Sequence, residues 1–157
     1  MKIRSWQVYT SLAIAAGVAY FIYQNDSTPP VISEFQVSQT EFDISGADQV
    51  FSFSGSISDD RDLEQADLIC MDNGEKRMII HLGIKGASAK FASFAILPGS
   101  PSWTGRWVGK LTDLNFEGTG FLPKGMRNTN CTWEALLIDA IGNENNNQLA
   151  VTMKVEG

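Results

Sequence analysis

The sequence predicts an all-β fold, a two-sheet sandwich of roughly seven to nine short strands preceded by one N-terminal transmembrane helix. Three observations carry this. Ser5 to Asn25 is a run of 21 residues without a charged side chain, set behind Lys2 and Arg4. Beyond Tyr23, apolar and polar residues alternate in short segments, and no stretch repeats its apolar residues at helical spacing. Glycine, proline, asparagine and aspartate separate these segments, as residues that close tight turns do.

Taken in order, residues 1–25 form a signal-anchor. As a helix rising about 1.5 Å per residue, the uncharged run reaches about 30 Å, the thickness of a bilayer's hydrocarbon core. Lys2 and Arg4 precede it and Asp26 follows, which places the N-terminus in the cytoplasm and the remainder in the periplasm or extracellular space. Trp6 and Tyr9 suit the inner headgroup level, and Tyr20 and Tyr23 the outer one, as an uncleaved anchor requires. The alternative is cleavage after Ala19, where Gly17-Val18-Ala19 offers small residues to a signal peptidase and the product is secreted. Ala13 and Gly17 lie four apart, on a helix face that a second membrane helix can approach closely. Residues 26–30 are a short linker stiffened by Pro29 and Pro30, and 31–157 form a single domain.

Within that domain Phe35, Val37, Phe42 and Ile44 mark a broken first strand. Phe51, Phe53 and Ile57 alternate with Ser52, Ser54 and Ser56 in a half-buried one. Further strands fall near Ala66–Met71, Lys76–Ile84, Lys90–Leu97 and Arg106–Leu111. Gly99, Pro101, Gly118, Gly120, Pro123 and Gly125 punctuate the connections. Cys131, Trp133, Ala135 and Leu137 share one face of a strand running to Asp139, and Leu149, Val151, Met153 and Val155 share a face of the strand that returns as the last hairpin.

With Lys2 and Arg4 set aside, 10 of the 12 basic residues face 18 acidic ones. Such a surface repels nucleic acid and anionic headgroups, which excludes nucleic-acid binding.

Pro29-Pro30-Val31-Ile32, Val37-Ser38-Gln39-Thr40 with Asp43, Ser58-Asp59-Asp60, Trp103-Thr104-Gly105 and Asp139-Ala140-Ile141-Gly142-Asn143 occur in this order. Over Asp26 to Val155 the chain thus resembles the bacterial immunoglobulin-like domains of envelope and surface proteins. The resemblance implies an immunoglobulin or fibronectin-type sandwich used for spacing, adhesion or assembly, without catalytic residues. It departs from the family in its single copy, its membrane segment and its two cysteines. In an exported domain those cysteines allow one intrachain bridge, Cys70 to Cys131. In the immunoglobulin order they end the third strand and begin the sixth, antiparallel neighbours in one sheet. If they sit directly opposite each other, the same register sets Asp62 opposite Asp139.

That register gathers Asp59, Asp60, Asp62, Asp139 and Asn143 at the end where the chain enters the sandwich. Calcium takes six to eight oxygen ligands and is a candidate cofactor there; the competing role is turn formation, which the same residue types favour. Trp103 and Trp107, four apart in a strand, share a face that is a candidate platform for a sugar ring or partner protein; core filling is the competing role. His81, amid Ile79, Ile80 and Leu82, reads as a strand residue outside any triad or zinc pattern.

These observations give a non-enzymatic, membrane-anchored interaction domain, an accessory or structural subunit of an envelope assembly with a protein partner. The alternatives are a surface adhesin or carbohydrate-binding domain, calcium-stiffened or not, and a hydrolase built on the acidic loops.

Overall fold

A computed structural model describes residues 28–85, 89–93 and 99–157. The proposed membrane segment, with Ala13 and Gly17, lies outside the described residues, among which no helix is long and apolar enough to cross a membrane. Among the described residues ten strands follow in order: β1 (Val31–Val37), β2 (Glu41–Asp43), β3 (Gln49–Ser58), β4 (Leu63–Asp72), β5 (Glu75–His81), β6 (Lys90–Ser93), β7 (Ser102–Lys110), β8 (Asp113–Leu122), β9 (Thr129–Asp139) and β10 (Glu144–Glu156). They form two five-stranded sheets, β1-β3-β8-β7-β6 and β2-β10-β9-β4-β5, called here the first and second sheets. All pairings are antiparallel except β2 with β10.

The broken first strand changes sheets. β1 pairs with β3, and the chain then crosses to the second sheet, where β2 runs parallel to β10 and the Lys154 N–H donates to the Thr40 carbonyl at 2.7 Å. Burial of Phe42 and Ile44 over the core explains the crossing. The last hairpin forms as its alternation predicts: Cys131, Trp133, Ala135, Leu137, Met153 and Val155 all point into the core. A bulge of β10 between Gln148 and Thr152 resets the register part-way along it. The β4–β5 hairpin closes through Asn73 and Gly74, with φ of 51° and 81°, the left-handed pair that a two-residue hairpin turn demands.

The strand that the sequence pattern hides is β8, central in the first sheet. Its Gly118 and Gly120 are not loop punctuation. They lie directly opposite Phe53 and Phe51 of β3, and a Cβ at either glycine would overlap those rings. Gly55 of β3 bears the ring of Phe116 in the same way, and Gly105 of β7 bears that of Phe91 from β6. Phe53 and Phe91 close over the adjacent Gly118 and Gly105 from opposite sides, their ring centroids 6.2 Å apart. Flat glycine floors thus let four buried phenylalanines lie down against their own sheet, where rings standing up would hold the second sheet away.

The disulfide Cys70–Cys131 joins β4 and β9 within the second sheet, Cα atoms 5.5 Å apart and both residues buried. Cys70 lies opposite Trp133, so the cysteines are diagonal neighbours and not directly opposed. With a further irregularity between Leu63 and Gln65, it is Leu63 that faces Asp139, which corrects the expected Asp62–Asp139 pairing.

Sheet edges are guarded. β2 is only 3 residues long, β6 has 4 described residues, β1 is interrupted near Glu34 (φ 56°), and β5 carries Glu75, Lys76, Arg77 and His81.

Gly120→Ala, whose added Cβ would meet only the ring of Phe51, should destabilise the domain by about 1–3 kcal/mol in urea melts, and by clearly less when Phe51 is first shortened to leucine. Replacing both cysteines by alanine should cost about 4 kcal/mol, the chain-entropy value for a loop of 61 residues, measured as the fall in denaturation midpoint.

Candidate functional site

The chain enters the sandwich at the end where the β3–β4 loop, the β7–β8 turn and the β9–β10 turn meet. Backbone bonds knit these together: the Asp59 N–H donates to the Thr112 carbonyl (3.0 Å), the Leu63 N–H to that of Leu111 (3.1 Å) and the Ala140 N–H to that of Asp62 (2.8 Å). Asp139 is fully buried and works as a turn anchor. Its Oδ1 accepts from the N–H groups of Ile141 (2.9 Å) and Asn143 (2.8 Å), and its Oδ2 accepts from the Asn143 side chain (2.8 Å). Asn143 Nδ2 also reaches the Thr28 carbonyl at 3.5 Å, and Asn145 Nδ2 donates to the Pro30 carbonyl at 2.6 Å. The incoming segment is thereby tied to the β9–β10 turn by side-chain amides.

Asp59 has a different environment. Both its carboxylate oxygens are shielded from solvent, and neither has a hydrogen-bond partner of good geometry. Burial pushes its carboxyl up to about 6, and the charges of Asp139 and Asp60 push the same way. The neighbouring N–H groups of Asp60 and Arg61 only partly oppose this. Asp60 is exposed, and Asp62 touches the β9–β10 turn through its carbonyl. The five residues proposed for calcium do share one end. Yet Asp139 spends its oxygens on the turn, and among the described residues no three carboxylate, histidine or cysteine groups converge as ligands would.

Trp103 and Trp107 share one face of β7, as their spacing predicts, and it is the inner one. Both are partly buried against the core, and the Trp107 indole N–H is buried without a hydrogen-bond partner. His81 lies directly opposite Asp67 on the outer face of the second sheet. Its Nδ1 sits 2.7 Å from Asp67 Oδ1, while Asp67 Oδ2 accepts from Gln65 Nε2 at 2.7 Å. The trio is a cross-strand tie.

The feature that sequence reasoning missed is the outer face of the first sheet. One continuous polar row, Gln36–Ser54–Glu117–Arg106–Lys90, crosses all five strands in register. Beside it runs a second, Ser52–Thr119–Thr104, bordered by Ser38, whose Oγ accepts from the Ser52 N–H at 2.9 Å. Two adjoining depressions of about 780 and 400 Å³ lie over these rows and share Gln36, Ser54, Arg106 and Glu117. The serines of β3 were visible in the sequence as the polar half of an alternating strand. What hid the trough was the absence of β8 from that reading, since β8 supplies its centre.

Compared with known proteins, the chain matches no family model, no curated protein and no solved structure.

Asp59 carries a pH signature. Because its carboxyl is raised when folded, its ionisation opposes folding: the stability that its protonation provides is full below about pH 4 and lost as pH rises through about 6. Asp59→Asn should therefore stabilise the domain at pH 7.5 by about 1 kcal/mol, after allowance for solvent screening, and should leave it unchanged at pH 4. Paired urea melts at the two pH values check this.

Proposed function

We propose that this chain is a non-enzymatic, membrane-anchored interaction domain, an accessory or structural subunit of a cell-envelope assembly, carried on an immunoglobulin-like sandwich. The strand order supports the architecture. β1, β3, β8 and β7 follow the A-B-E-D order of one immunoglobulin sheet, and β5, β4, β9 and β10 the C′-C-F-G order of the other. Trp133 packs opposite Cys70 of the disulfide, although here the bridge joins C to F within a sheet and the tryptophan stands on F.

The observation that carries the functional reading is the tethering of the incoming chain by Asn143 and Asn145. A domain whose entering segment is bonded to its own loops has fewer orientations open to it relative to whatever precedes it than one hung on a loose linker. An apolar run of 21 uncharged residues ends just before that tether, so the acidic end would face the membrane and the far end and sheet faces would point away from it. The buried disulfide fits an oxidising compartment outside the cytoplasm.

Native protein extracted gently from its own membranes should show an intact N-terminus by mass spectrometry and a stoichiometric companion protein. A chain trimmed after Ala19 and travelling alone would overturn the anchored-subunit reading.

A further inference from the structure

We propose that the trough across the outer face of the first sheet binds an extended, uncharged glycan. Its extent, its lining and its charge all point to this class. Five strands spaced about 4.8 Å apart give a path of about 19 Å across the sheet, long enough for several sugar rings end to end. The floor is built from small hydroxyl side chains, Ser52, Ser54, Thr104 and Thr119, which leave a depression because longer side chains flank them. None of the Ser54, Thr104 or Thr119 hydroxyls, nor the Gln36 amide, is engaged by another described residue.

At the centre of the trough Arg106 directs Nε (2.7 Å) and Nη2 (2.6 Å) to the same oxygen of Glu117, Oε1. The second carboxylate oxygen and the third guanidinium nitrogen are left to meet neighbouring hydroxyls of a sugar with an acceptor and a donor side by side. Charge decides between ligands. The two depressions hold Lys90 and Arg106 against Glu34 and Glu117, a balanced set in a chain of net charge −6, so neither a polyanion nor a polycation is favoured. A peptide would add a strand to a free edge or drop side chains into apolar pockets, and here the described edge strands are short, interrupted or charged and the floor side chains carry hydroxyls.

A second observation falls on the same face. Of the four large apolar side chains left exposed among the described residues, Val50, Val108 and Phe121 all project from the outer side of this sheet. Phe121 and Val50 are paired directly, beside Thr119 and Ser52, and Val108 borders the smaller depression. They give a C–H-rich sugar face an apolar surface at each side of the hydroxyl floor. The proposal stands whether the chain is anchored or secreted.

The test is an array of soluble neutral α-glucans, β-glucans and mannans beside acidic polysaccharides, probed with the full-length chain in a detergent without a sugar headgroup. The proposal expects retention by at least one neutral glycan, weakened by about tenfold or more in Glu117→Ala, as loss of a hydrogen bond to a charged group implies. Ser54→Arg, which fills the trough from an exposed position, should weaken it at least as far with an unchanged melting temperature. Retention by no neutral glycan, preference for the acidic ones, or binding indifferent to Ser54→Arg would each overturn it.

Discussion

Everything in the first sheet depends on phenylalanine rings lying on glycines of the neighbouring strand. Gly55, Gly105, Gly118 and Gly120 each face a ring across one strand spacing, and no side chain fits in their place. Glycine in a strand is ordinarily a weakness, with more chain entropy to lose and nothing to pack. Here each glycine's missing Cβ is occupied by a ring from next door, so the packing that the glycine lacks is supplied by its neighbour. The consequence reaches the opposite surface. Inward positions take the aromatics, and the alternate positions of the same strands, Ser52, Ser54, Thr104 and Thr119, form a flat polar floor that solvent or a ligand can reach.

The second sheet solves a different problem, holding together strands far apart in the chain. The disulfide between β4 and β9 removes freedom from a long loop of the unfolded chain, beside a fully buried Trp133 edged by Phe35 at 5.6 Å. At the end where the chain enters, polar side chains take over. Asp139 closes the β9–β10 turn, and Asn143 and Asn145 catch the incoming backbone. Asp59 is the exception, a carboxylate shielded from water beside other acids and therefore a standing cost at neutral pH.

The parts legible in the sequence were those where one strand's own alternation declares its faces. The final hairpin and the Phe51–Ile57 strand belong to this group, while the bridge between the cysteines was legible from their number in a chain read as exported. β8 was not legible because Gly118 and Gly120 are turn residues in isolation; only the rings of β3 opposite them reveal their purpose. The register around Asp139 failed because the bridge joins diagonal and not directly opposed positions, which shifts the pairing by two residues, and the irregularity between Leu63 and Gln65 takes back only one of them; neither leaves a mark in the sequence. Trp103 and Trp107 were correctly placed on one face, yet choosing inner from outer required β8 beside them. The candidate site was hidden for the same reason, because a trough built from five strands is a property of the sheet.

Whether β8 is a locked central strand is tested most directly by amide hydrogen exchange of the full-length protein, read by mass spectrometry over Asp113–Leu122. A strand held between β3 and β7 and roofed by phenylalanine rings must exchange as slowly as β9, at the rate set by global unfolding. Exchange of that segment at the rate of the β8–β9 connection would contradict the interlock of rings and glycines. It would remove with it the structural basis of the polar trough.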